Sequence, residues 1–128
     1  MAVAGEPSLG TLHYHPSQYA ANVYTNTAPS ATTFYTVTVA GLPAGTKTIE
    51  ISGYILGTAA SDELVWRPYG SADTYLQSIH RSIGMVPSAS GYGHIQGTVN
   101  VDSSGRFQVA VNDNGTDIYI RGYSFYGI

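Results

Sequence analysis

The chain has 128 residues, a formal net charge of −3 and only 10% charged residues. That length suits one domain with one core. Lys47, Arg67, Arg81, Arg106 and Arg121 are scattered, which leaves out the basic patch of a nucleic-acid binder. No apolar run approaches the roughly 20 residues of a bilayer span. The opening "MAVAGEPSLG" lacks the basic and apolar segments of a signal peptide. The absence of cysteine removes disulfides and thiolate chemistry.

Residues 1–32 are rich in Ser, Thr, Asn, Ala and Tyr, carry Pro7, Pro16 and Pro29, and show little periodicity. They read as an extended N-terminal arm ahead of a domain over 33–128. In "TFYTVTVA", Tyr35, Val37 and Val39 alternate with Phe34, Thr36 and Thr38, the two-residue period of a half-buried strand. After the turn "GLPAGTK", the segment "TIEISGYIL" places Ile49, Ile51 and Ile55 on one face and Glu50, Ser52 and Tyr54 on the other. Gly53 marks a bulge or close-packing point.

"ELVWRPY" alternates again and should stop pairing at Pro68, which has no amide hydrogen. "TYLQSIHRSIGMV" has helix-like spacing at Leu76, Ile79 and Ile83, but Tyr75, Gln77, Ile79 and Arg81 suit a strand, and we read residues 75–87 as strand. "HIQGTVNV", "RFQVAV" and "TDIYIRGYSFYGI" are joined by the reversals "DSSG" and "NDNG", which makes an antiparallel meander. The expected fold is all-β, an antiparallel β-sandwich and best a jelly roll of about eight strands.

The stretch "VTVAGLPAGTKTIEISGYILGTAASDELVWRPYGS" and the closing "VDSSGRFQVAVNDNGTDIYIRGYSFYGI" together resemble small β-sandwich domains of tailed-bacteriophage virion proteins. The shared features are the "lPaGtk" turn, the "RPyGs" corner and the glycine- and tyrosine-rich last strand, across roughly residues 33–128. The resemblance implies a structural protein located in the virion, a homotrimer serving as capsid decoration (cement) or as a tail-fibre tip. Its partners would be itself, the major capsid protein or other virion proteins, and, for a tip, a host surface glycan. The arm is then the place for attachment to the shell.

Chemistry-bearing motifs are sparse. In "LHYHP", His13 and His15 fall on one face if the segment is extended. A cupin-type metal site fails, because "PSQYAANVYTNT" supplies no carboxylate and "GLPAGTK" no following histidine. What remains is an inter-subunit site in which three "HYH" segments surround one ion, or two plain contact residues. We expect the latter, with no cofactor. His80 and His94 are isolated and read as structural.

No G-x-S-x-G, H-E-x-x-H or phosphate-binding loop occurs, and no catalytic residue is expected. Among Glu50, Asp62, Glu63 and Asp73, the adjacent Asp62-Glu63 reads as a solvated loop rather than a catalytic pair. "NDNGTD" reads as a hairpin turn rather than a Ca²⁺ loop. Candidate binding or interface aromatics are Trp66 and Tyr69, which flank Arg67 in "WRPY", and Tyr119, Tyr123 and Tyr126 in the last strand. Trp66, in phase with Leu64, reads first as the large core residue of its sandwich face. A free carbohydrate-binding module is the rival of another class.

Overall fold

The computed structural model describes residues 11–14, 23–27, 29–42, 44–57, 62–78, 80–81 and 91–127. Nine strands run through them in chain order: β1 (Thr11–Tyr14), β2 (Tyr24–Asn26), β3 (Tyr35–Thr38), β4 (Thr48–Leu56), β5 (Leu64–Pro68), β6 (His80–Arg81), β7 (Tyr92–Asn100), β8 (Arg106–Val111) and β9 (Asp117–Gly127). The isoleucine, valine and threonine content of β4, β7 and β8 favours this extended backbone, because branched side chains pack well on a pleated surface.

One sheet has the order β1-β9-β4-β7, with β2 also on β9, and the other has the order β3-β8-β5-β6; every pairing is antiparallel. Since β1 and β2 lie one after the other along the same edge of β9, they fill one edge position. From there the chain crosses to β3, returns to β4, crosses to β5 and β6, returns to β7, and crosses again through β8 to β9. That is the connectivity of a jelly roll. The described strands of the predicted arm thus hydrogen bond to the last strand of the domain.

The core lies between the sheets. Phe107, Ile49, Ile51, Ile55, Leu64, Ile118, Ile120, Val37, Val109 and Val111 are fully buried there. Each such side chain contributes about 1.5–3 kcal/mol from apolar area removed from water. The alternation expected in β4 holds, since Ile49, Ile51 and Ile55 are buried while Glu50, Ser52 and Tyr54 are half-exposed. The irregularity expected at Gly53 is also present: the register with β9 shifts between Ser52 and Gly53, leaving Arg121 as the extra residue. A Cβ on Gly53 would collide with the Tyr119 carbonyl, so only glycine fits there.

Both reversals form as turns around left-handed glycines. Gly105 has φ 75° and Gly115 has φ 78°. In the "NDNG" turn the side-chain oxygens are engaged by backbone: Asn112 Oδ1 accepts from Glu63 N at 2.8 Å and Asn114 Oδ1 from Ala31 N at 2.7 Å. Gly115 N donates to Pro29 O at 3.0 Å and Thr32 N to Val111 O at 2.7 Å, so the segment before β3 is clasped onto this turn.

Two expectations need correction. Tyr75–Gln77 form a turn rather than a strand, closed by Gln77 N and Ser78 N on Thr74 O at 3.1 and 3.0 Å, with Thr74 N donating to Gln77 Oε1 at 2.9 Å. The turn lets Tyr75 fold over the outer face of the second sheet, against Val65 and Ala110, while Leu76 points to solvent. Strand is next described at His80–Arg81, opposite Trp66 and Val65, while Ile79 and residues 82–87 lie outside the described residues. Nor is Asp62-Glu63 a solvated loop. Asp62 is buried and accepts from Thr116 Oγ1 at 2.9 Å, and Glu63 Oε1 accepts from Tyr75 Oη at 2.9 Å.

Candidate interaction surface

The outer face of the β9-β4-β7 sheet carries the densest exposed aromatic group among the described residues. Antiparallel register places Thr25 of β2, Tyr119 of β9, Tyr54 of β4 and His94 of β7 in one row across four strands. The next row holds Asp117, Leu56 and Tyr92. The Tyr54 and Tyr119 rings stack with centroids 4.8 Å apart and planes 25° from parallel. Tyr92 meets Tyr54 edge to face at 5.4 Å and 74°.

Aromatic pairs of these geometries contribute about 0.5–1.5 kcal/mol each beyond buried area. They hold the rings as a preformed group. Tyr92 remains 63% exposed, and His94 and Gln96 beside it are exposed as well. Burial against its neighbours, then the Asp117 carboxylate and the phenols of Tyr54 and Tyr92, push the Tyr119 phenol above its ordinary value. The Tyr119 hydroxyl is therefore held in its neutral form, suited to contact with polar uncharged partners.

The aromatics singled out in the sequence fare differently. Trp66 is 2% exposed; its ring lies under Gly97 between the sheets, where a Cβ at Gly97 would collide with it, and its Nε1 donates to Thr98 O at 2.9 Å. It is a core residue. Tyr69 is exposed at the corner after Pro68, but the Arg106 guanidinium covers its ring at 3.8 Å. Arg67 turns the other way, with its guanidinium 3.6 Å above the Phe34 ring and Nε donating to Gln108 Oε1 at 2.8 Å. A Trp66–Tyr69 platform around Arg67 therefore does not form, since alternation sends Trp66 inward and Arg67 outward.

Tyr123 is 5% exposed and sits in the core, with Oη donating to Ala40 O at 3.4 Å. Burial pushes its phenol upward. Of the last-strand candidates, Tyr119 joins the surface group. Tyr126 is opposite Leu12 in the β1–β9 ladder. Tyr54 and Tyr92 were not candidates; alternation puts Tyr54 on the outer face of its strand, but only the pairing of β4 with β7 and β9 brings the three rings together.

His13 pairs with Phe125 in the β1–β9 ladder, and His15 lies outside the described residues. Among the described residues no three of His, Asp and Glu stand close enough to share a metal ion. Glu50 lies on the β4 outer face, in the sheet opposite to the one from which Asp73 extends after β5.

At the end of the sandwich, the turn after β3 and the turn after β7 enclose a cleft of about 430 Å³ floored by Val39, Leu42 and Val101. Asp102 at its rim is held below the usual carboxylate range by the Arg106 backbone N–H first, then by the Arg106 side chain at 2.8 Å and the Ser104 N–H. Hydrogen bonds to the charged form favour it, so the charge is directed to the turn. No family model matches the chain, and neither the curated proteins nor the solved structures contain a match to it.

Proposed function

We propose that the chain is a non-enzymatic structural protein of a tailed-phage virion, a homotrimeric decoration (cement) protein that stabilises the head through its N-terminal segment and β-sandwich. The observation that supports this reading is the tyrosine group of Tyr54, Tyr92 and Tyr119 on the outer face of a sparsely charged jelly roll. Tyrosine joins apolar area to a polar tip at low conformational cost, the property enriched in protein contact surfaces. The sequence resemblance across residues 33–128 supplies the context of a virion.

The test is thermal release of nucleic acid from purified capsids with and without this protein. A higher release temperature when it is bound is expected, and an unchanged one would sink the cementing role. Native mass of the isolated protein checks the trimer.

The open Tyr92 ring favours one second reading, a tail or fibre tip that stacks on a host surface glycan. A free carbohydrate-binding module would use the same ring. Specific saccharide binding by the isolated protein, abolished by Tyr92→Ala, would move the assignment from cement to receptor binding. Presence of the protein on purified particles separates a tip from a free module.

A further inference from the structure

Strand β7 bonds to β4 along one side. The parity of that ladder is set at its two ends, where Gly57 N donates to Gly91 O and Val101 N to Lys47 O, each at 2.9 Å. Both pairs continue the register that runs from Leu56↔Tyr92 to Thr48↔Asn100. Antiparallel partners alternate between bonded and non-bonded pairs. Odd-numbered residues of β7 therefore bond β4, and Tyr92, His94, Gln96, Thr98 and Asn100 turn their N–H and C=O groups to the opposite edge.

Among the described residues no strand lies along that edge. The Thr98 carbonyl is engaged, by Trp66 Nε1. A row of free backbone donors and acceptors is a template for another strand, and folded proteins usually blunt such edges with charge, proline, a bulge or short length. β7 has none of these devices: it runs for 9 residues without Lys, Arg, Asp, Glu or Pro, and its ladder to β4 has no register shift. Among the described residues the other edge strands are all short: β1 and β3 have 4 residues each, β2 has 3 and β6 has 2.

We propose that this edge pairs antiparallel with β7 of a second copy of the chain across a two-fold axis, joining two sheets into one. Under that symmetry even-numbered residues face even-numbered residues, so free donors meet free acceptors. The strand carries no Lys, Arg, Asp or Glu, and so meets its own copy without the fixed charges that ordinarily guard an edge. Because Trp66 already uses the Thr98 carbonyl, the axis falls in the freer half, at His94. This sets Tyr92 of each copy beside Gln96 of the other and extends the tyrosine group across the seam. The inference goes beyond the function proposed above, since a two-fold contact joins single chains or trimers alike.

The chain has no cysteine, so single cysteines report without background. Tyr92→Cys, His94→Cys, Gln96→Cys and Thr98→Cys are each oxidised mildly in the full chain, with Ser103→Cys in the following turn as control. Residues at the axis stand about 5.5 Å apart at Cα, within disulfide reach, whereas those two positions away do not. A reducible dimer at His94→Cys, several-fold above its neighbours and the control, is expected.

Gln96→Pro provides the second arm: its N–H points outward, so proline costs no bond to β4, and the variant should keep its circular dichroism while the two-fold dimer is lost from native mass spectra. Equal cross-linking at all positions, none above the control, or a native mass unchanged by folded Gln96→Pro would each overturn the proposal.

Discussion

The indole nitrogen of Trp66 donates to the backbone carbonyl of Thr98 at 2.9 Å, tying an inner strand of one sheet to the edge strand of the other. The ring reaches that edge across Gly97, where no side chain is tolerated. Trp66→Ala should therefore destabilise by about 3–5 kcal/mol and Gly97→Ala by about 1–3 kcal/mol, read from urea midpoints. In a Trp66→Phe background the Gly97→Ala cost should fall, because phenylalanine lacks the ring atoms that clash. Strict additivity in that double-mutant cycle would contradict the packing described.

The buried Asp62 carboxylate and the fully buried Thr116 hydroxyl form a second tie, 2.9 Å long, between the residues entering β5 and β9. Thr116→Val keeps the shape and withdraws the donor. A loss of about 1–3 kcal/mol is expected, the cost of leaving a buried polar group short of a partner. A change below about 0.5 kcal/mol in chemical denaturation would show that Asp62 has no need of this hydroxyl.

Thr32 has φ 57°. That is a left-handed backbone, which a β-branched residue adopts only under constraint. The constraint is visible in its N–H on Val111 O and in Ala31 N on Asn114, which clamp the segment to the "NDNG" turn. Asparagine tolerates this conformation. Thr32→Asn should raise stability by about 0.5–1 kcal/mol, and a lower melting temperature would show that the clamp favours threonine for another reason.

These sites show which parts of the structure can be read from the chain alone. Local chemistry was legible: the glycine turns at 105 and 115, the inward face of β4 and the break at Gly53 all follow from residue type and spacing. Pairing between distant segments was not. Asp62 and Thr116 are 54 positions apart, and Tyr54, Tyr92 and Tyr119 meet only through strand order. Trp66 was legible as a core residue from its phase with Leu64, whereas the Arg106 guanidinium that covers Tyr69 comes from β8 and could not be read from "WRPY". Tyr75 suited a strand by pattern, but the bonds that Thr74 accepts closed a turn instead.

Asp102 gives a pH-dependent test. Its carboxylate accepts from Ser104 N and Arg106 N, each at 2.9 Å, and its folded pKa is lowered chiefly by the Arg106 N–H. A depressed folded pKa stabilises the fold at pH above the unfolded aspartate value, about 3.9, and that stabilisation fades as pH falls through the lower folded value. Asp102→Asn should therefore melt below the parent at neutral pH, and the gap should narrow only under acid conditions, below about pH 4. A gap that stays constant down to about pH 2 would assign the effect to lost side-chain geometry instead of charge.

The tyrosine group separates surface function from stability. Tyr92 is 63% exposed and touches Tyr54 only edge to face. Tyr92→Ala should therefore change unfolding free energy by only about 0.5 kcal/mol, the low end for an aromatic pair. Tyr54 and Tyr119 support each other by stacking and flank the bulge at Gly53. Tyr119→Ala should accordingly cost more, about 1 kcal/mol or above. If the face binds a partner, whether capsid or glycan, both variants should weaken that binding several-fold, and only Tyr119→Ala should also lower the melting temperature. Full binding by a folded Tyr92→Ala protein would remove this face from the functional surface, because Tyr92 is the ring most open to any ligand that approaches it.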